Sequence, residues 1–150
     1  MSINVLSNAR SLGPSLAERS ETIELHRRLP DDVVSDLQSA GLFRLFVPES
    51  LNGPEVDVET AVTSIAEIAR HDGASGWCVM IAGTTSLLAG FLPEEHAELI
   101  YGPSNSCTGG FAAPVGKANV VDGGLSISRT WEWGSGSQHC TWIGGGTRIL

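Results

Sequence analysis

Residues 129–146 read Arg-Thr-Trp-Glu-Trp-Gly-Ser-Gly-Ser-Gln-His-Cys-Thr-Trp-Ile-Gly-Gly-Gly. Three of the chain's four tryptophans and five of its glycines fall in this stretch, with only Arg129 and Glu132 charged. A surface loop has no use for so many indoles. A core strand gains nothing from so many glycines, each of which weakens it and packs no side chain. Glycine beside tryptophan suits a place where backbone must approach a flat ring closely while an aromatic wall covers one side. The competing reading is a glycine-kinked pair of strands whose indoles fill a barrel-like core.

Working outward, the sequence before Gly102 reads as helical. Pro14 opens a helix over 14–28 that ends in the basic turn His26-Arg27-Arg28, which suits the negative helix end. Pro30 breaks it. Asp31 or Asp32 caps a second helix that runs to Ala40, with Gly41 at the position past its end. Leu42–Pro48 is a short apolar connection, extended at its end because Pro48 restricts Val47. Residues 49–56 form a loop around Asn52-Gly53-Pro54. Asp57 caps a third helix whose Val58, Ala61, Val62, Ile65, Ala66 and Ala69 share one face. His71-Asp72 ends that helix as a cap and dipole partner. An uncharged helix over 74–91 follows, and Pro93-Glu94-Glu95 opens a shorter one that Gly102 closes.

After Gly102 come short β-type runs at 111–115, 118–121 and 125–128, the last two flanking the hairpin turn Asp122-Gly123-Gly124. Further strands are expected at 140–143 and 148–150. The predicted fold class is α+β: an all-helical domain over 1–105, then the start of an antiparallel, barrel-like β-domain over 106–150. A sheet stopping inside a strand cannot bury both faces. The expectation is that the chain is the N-terminal piece of something longer.

Composition narrows the function. The net charge is −8, the pI about 4.8, and only Arg27-Arg28 pair basic residues at one point, so nucleic acid is not the expected partner. Residues 74–92 carry no charge and approach the ~20 residues of a membrane span. Gly76, Gly83 and Gly90 interrupt them, and no Lys or Arg anchors the flanks, so a helix buried in a soluble bundle is expected. Cys78, Cys107 and Cys140 form no CxxC pair, and the N-terminus lacks an export signal, so reduced cytoplasmic thiols are expected. His139-Cys140 lacks a second pair at zinc spacing, and no metal is expected. Gly134-Ser135-Gly136 lacks the full nucleophile elbow, and Gly144-Gly145-Gly146 precedes a strand rather than a helix, which argues against a phosphate loop.

A helical first half, a Gly/Pro switch and a β-domain with a Trp-x-Ser element resemble the acyl-CoA dehydrogenase superfamily from about Leu29 onward. Phe111-Ala112-Ala113-Pro114-Val115-Gly116 stands where that family has a Thr-Glu-Pro-x-x-Gly-like segment contacting the isoalloxazine. Trp133-Gly134-Ser135, with Trp142 beyond it, is similar to the family's Trp-Ile-Thr/Ser element. The resemblance implies a flavin, FAD or FMN, held by Phe111, Ala112, Trp133, Gly134 and Ser135. Trp133 would pack on the ring, and Ser135 would bond near flavin N5. Ala112 and Ala113 in place of Thr and Glu, Lys117-Ala118 in place of Ser-Asp, and Gly76-Trp77 in the fourth helix resemble more the branch of two-component flavin-dependent monooxygenases, the group D hydroxylases. Phenol hydroxylases of that branch often carry a substrate-binding His where this chain has Thr84-Thr85-Ser86.

The implied activity is a flavin-dependent oxidoreductase, dehydrogenase or monooxygenase, acting on an acyl-CoA or an aromatic compound. A flavin reductase is the implied partner in the monooxygenase case, and a homo-oligomer, a tetramer at full length, is the implied assembly. The family's catalytic carboxylate would lie beyond Leu150, so the catalytic residues are not among these and the isolated chain is expected to be inactive. The alternative is a truncated, non-catalytic helical fragment that binds a partner.

Overall fold

The computed structural model describes residues 4–150. Five helices precede three strands: α1 (Val5–His26), α2 (Asp31–Ser39), α3 (Val58–His71), α4 (Gly73–Thr85), α5 (Glu94–Tyr101), β1 (Thr108–Val121), β2 (Gly124–Ser128) and β3 (Trp142–Ile149). Helices then sheet is the order the sequence predicts.

The first helix begins nine residues before Pro14. Asn4 caps it by accepting from the Ser7 N–H at 3.0 Å, and Val5, Ala9, Gly13, Leu16 and Ile23 form its buried stripe. Pro14 therefore lies inside the helix, where it lacks one donor but does not end the segment. The helix closes on Arg27 in the left-handed conformation (φ 53°). In α2 the aspartates do not cap. Pro30 occupies the cap position, Asp32 and Asp36 pair with Arg19 of α1 at 3.1 and 2.8 Å, and Gly41 takes the predicted left-handed position past the end (φ 78°).

The apolar connection after α2 is the centre of the core. Leu42, Phe43, Leu45 and Val47 are all buried, with Leu42–Arg44 wound into a 3-10 turn. Backbone bonds from Val56 to Leu45 and Glu55 to Val47 fold the following loop back onto it. A second 3-10 turn, Glu49–Leu51, lies within that loop.

Asp57 caps α3 as expected, accepting from Thr60 N–H at 2.7 Å. The buried face differs from the predicted one. Ala61, Ser64 and Ile68 are buried and Ile65 packs beside them, whereas Val58, Val62, Ala66 and Ala69 are exposed. Ser64 is admitted because its hydroxyl donates back to the Thr60 carbonyl at 2.7 Å, so the buried stripe does not follow side-chain polarity. Asp72, itself buried, caps α4 by accepting from Ser75 N–H at 2.6 Å and from the Ser20 hydroxyl at 2.9 Å.

The uncharged segment after it is helical only to Thr85 and continues as a 3-10 turn over Ser86–Gly90. It is buried on one face alone: Ser75, Gly76, Val79, Ala82 and Gly83. Glycine at 83 lets α4 close on the core, since a Cβ there would sit 2.7 Å from Leu45 Cδ1.

The sheet corrects the sequence reading most. It is mixed, in the order β2-β1-β3. Only the β1–β2 hairpin is antiparallel, turning at Asp122-Gly123 with Gly123 at φ 80°. Strand β3 runs parallel to β1, from Thr108 opposite Trp142 to Ala118 opposite Ile149. A parallel partner needs a crossover, and residues 122–141 supply it.

The runs at 111–115 and 118–121 are one strand, whose ladder to β3 is interrupted between Phe111 and Gly116. Pro114 falls in that interruption, where its missing N–H costs no ladder bond. The runs at 140–143 and 148–150 likewise merge into β3 across the glycine triplet. The triplet reads as a break but serves close approach: Trp131 lies over Gly145, and its Nε1 donates to the Gly146 carbonyl at 3.2 Å. Among the described residues the three strands form an open sheet, not a closed barrel.

Candidate functional site

Three elements converge on the glycine- and tryptophan-rich stretch: the first turns of α4, the middle of β1, and the turn 133–137. Tight turns build the last of these. Ser135 N–H bonds Trp133 O at 2.9 Å, Ser137 N–H bonds Gly134 O at 3.1 Å, and His139 N–H bonds Gly136 O at 3.1 Å. Gly136 supplies a left-handed residue (φ 72°), and so does Trp133 (φ 65°). A bulky residue in that region is strained, and such strain concentrates where a side chain must be aimed. The strain projects the Trp133 indole outward at 92% exposure.

Ser135 is held from the other side. Trp77 of α4, itself half exposed, donates its indole Nε1–H to Ser135 Oγ at 2.9 Å. That bond takes one lone pair of the hydroxyl and leaves its O–H free to donate elsewhere. Phe111 lies against Gly134, where a Cβ would sit 3.1 Å from Phe111 Cζ, and tilts against Trp131 with centroids 6.4 Å apart.

Phe111, Gly134 and Ser135 are thus brought together, with Trp133 beside them. Ala112 is exposed and lines a separate apolar cleft of about 490 Å³ with Thr85, Leu88, Tyr101, Trp142 and the glycine triplet. A second cleft of about 410 Å³ lies between the end of α1, α4 and residues 134–139, with Trp77 and Ser135 on one wall and Arg27 and Arg28 on another. The partner of Trp77 is not legible in the sequence, because the contact spans 58 positions and leaves no local signal.

Behind the turn the side chains are structural. His139 stacks on Phe43 with centroids 5.3 Å apart, and burial pushes its pKa below the ordinary histidine value, which favours the neutral ring. The three cysteines, distant in sequence, meet here as free thiols. A hydrogen bond from Cys107 holds the Cys140 thiol below its usual range, while the same bond and burial push Cys107 far above it. Burial raises Cys78 to about 11. No group of three His, Cys, Asp or Glu among the described residues is placed to hold a metal ion. None of the described helices is long and apolar enough to cross a membrane.

Residues 9–96 match the family described as acyl-CoA dehydrogenase, N-terminal domain. The chain belongs to the acyl-CoA dehydrogenase family. Among curated proteins it is 33% identical over 133 residues to the flavin-dependent monooxygenase, oxygenase subunit HsaA, of Rhodococcus jostii, covering 88% of this chain and 35% of that protein.

Among solved structures it matches the 3-HSA hydroxylase from Rhodococcus sp. RHA1 at 31% identity and a TM-score of 0.92, over 98% of this chain and 39% of the other. It also matches XiaF from Streptomyces sp., solved in complex with FADH2 and glycerol, at 26% identity and a TM-score of 0.89, over 97% of this chain and 37% of the other. The chain therefore spans roughly a third to two fifths of the length of these relatives.

Proposed function

We propose that this chain supplies the helical domain and the first strands of the sheet domain, divided near residue 105, of a reduced-flavin-dependent monooxygenase. In this proposal Trp133, Gly134, Ser135 and Phe111 form one wall of the flavin site. The observation that carries the reading is the Trp77 Nε1–H to Ser135 Oγ bond at 2.9 Å beside an indole that is 92% exposed. Together they present a flat apolar face and one oriented hydroxyl donor, which is what an isoalloxazine edge requires. Gly134 and Gly136 keep that surface free of Cβ atoms.

A bound flavin would supply two-electron redox chemistry and, when reduced, reactivity toward molecular oxygen. The chain's own part is positional. Trp133 covers one ring face and excludes water from it. Ser135 donates to a ring nitrogen without titrating near neutral pH, and Trp77 fixes the direction of that donation. Ala112, on the other cleft, is the weaker member of the assigned set.

FADH2 bound to XiaF favours FAD over FMN here, and relatives described as a p-hydroxyphenylacetate 3-hydroxylase and a resorcinol hydroxylase favour an aromatic substrate over an acyl-CoA. The relative described as an oxygenase subunit supports a separate reductase as partner. A homo-oligomer in the cytoplasm completes the reading.

The test is titration with FAD and FMN, oxidised and reduced, followed by tryptophan quenching in the parent and in Trp133→Ala, Ser135→Ala and Trp77→Phe. Trp133→Ala should weaken binding most, through lost contact area. Ser135→Ala should cost about 0.5–1.5 kcal/mol of binding with the melting temperature kept. Trp77→Phe should approach Ser135→Ala, because it frees the hydroxyl to turn away. Equal affinity in all four proteins would reduce the turn to core packing.

A further inference from the structure

Arg44 sits far from this chemistry and is not explained by it. It is only 6% exposed, in the 3-10 turn after α2. Among the described residues no carboxylate pairs with it. Its Nη2 donates to two neutral acceptors, the Leu51 carbonyl at 2.9 Å and the Tyr101 carbonyl at 2.6 Å. The second of these ends α5, so the guanidinium also meets the negative end of a helix. Nε is buried with no partner. Burying a guanidinium is costly unless charge and hydrogen bonds offset it, and two carbonyls offset only part. Burial alone acts on its pKa, with no carboxylate contribution.

The same side chain lines a cleft of about 520 Å³ between the end of α2, the 52–54 loop and residues 102–105. Gln38, Ser39, Asn52, Ser104 and Asn105 supply amides and hydroxyls to that cleft, and no Asp or Glu lines it. In a chain with 17 acidic residues and a net charge of −8, a cleft with one desolvated cation and only neutral donors is an anomaly. It shares no lining residue with the Trp77–Ser135 cleft.

The geometry points to an oxyanion-binding site in this cleft, in which a carboxylate or phosphate group pairs with the guanidinium of Arg44 and the amide of Asn105. An anion there gives the buried charge its missing counter-charge. Arginine's fork suits such groups better than a point charge does. Phosphate and carboxylate share this chemistry, so the ligand's source is separated by experiment.

The purified chain is titrated with inorganic phosphate and, separately, with acetate, at constant ionic strength made up with chloride. Amide and guanidinium resonances are followed by NMR. The expected result is saturable shifts confined to Arg44, Ser104, Asn105 and their neighbours. Saturation by phosphate alone assigns a phosphorylated ligand, and saturation by acetate assigns a carboxylate-bearing one. Arg44→Lys should weaken binding, but it also disturbs the contacts to Leu51 and Tyr101. Asn105→Asp, at an exposed position, places a negative charge at the mouth and should weaken binding at least tenfold with the fold unchanged. Shifts that follow ionic strength alone with both anions, or an Asn105→Asp variant that binds as tightly as the parent, would overturn the site.

Discussion

Phe43, in the helical part, is 1% exposed; Ile127, on β2, is 50% exposed. The contrast extends to their surroundings. Leu16, Leu37, Leu42, Leu45 and Ile68 share one fully buried cluster with Phe43. On the sheet, Val115, Val120, Leu125, Ile127 and Ile149 remain about half exposed or more, and every residue from 119 to 130 is exposed. Around Phe43 the helical part is closely packed, although Leu25, Val58, Leu88 and Phe91 at its surface stay exposed. The sheet leaves most of its apolar side chains in water. The candidate flavin wall lies at the join, where Trp77 from the closed part meets Ser135 from the open part. A site at such a seam inherits rigidity from one side and access from the other.

The comparison can be broken most severely in the helical part. Phe43→Ala should destabilise the chain by about 3–5 kcal/mol, because it opens a cavity in the closed core and removes the ring that His139 stacks on. A urea unfolding curve measures this, and a loss under 1 kcal/mol would mean the core is not closed. Gly83→Leu should come next, at ~1–3 kcal/mol, since the added side chain meets Leu45. A Gly83→Lys variant as stable as the parent would show that this face of α4 is not buried.

The seam is tested by pH. Burial holds His139 below its unfolded pKa of about 6.5, so the unfolded chain binds the extra proton first as pH falls. The neutral ring's contribution is full above that value and is lost as pH falls toward the folded pKa. His139→Phe keeps an aromatic partner for Phe43 and should flatten that part of the stability–pH curve. An unchanged slope would mean His139 titrates as it does in the unfolded chain. The smallest effect belongs to the open part: Ile127→Ser should change stability by no more than about 0.5 kcal/mol. A larger loss would show that the sheet face is already covered.

What could be read beforehand follows the same division. The helix ends written by local chemistry were legible: Asp57 as a cap, Gly41 past α2, Pro93 before α5. Asp72 was legible as a cap at the end of α3, whereas its side chain caps the start of α4. Pro14 misled because a proline at the first helical position and one tolerated inside a helix look alike locally. The face of α3 misled because Ser64 is buried by bonding to its own helix, while Val58 and Val62 stay outside.

The sheet was least legible. Whether β3 pairs parallel or antiparallel depends on where the 122–141 crossover returns, which no period-two pattern encodes. At the candidate site, the indoles and glycines are what set the stretch apart in the sequence. The Trp77–Ser135 bond that gives the hydroxyl its direction arises only from how α4 packs beside β1.

The strained backbone at Trp133 also gives the protein an optical handle. Of the four indoles, Trp131 lies against glycines and Trp77 is hydrogen-bonded, whereas Trp133 stands almost wholly in water. Its emission should therefore be the reddest of the four and the most readily quenched by iodide. Anything that settles on the turn should blue-shift that emission and shield it from the quencher. Occupancy of this one surface can thus be followed by light, without a label.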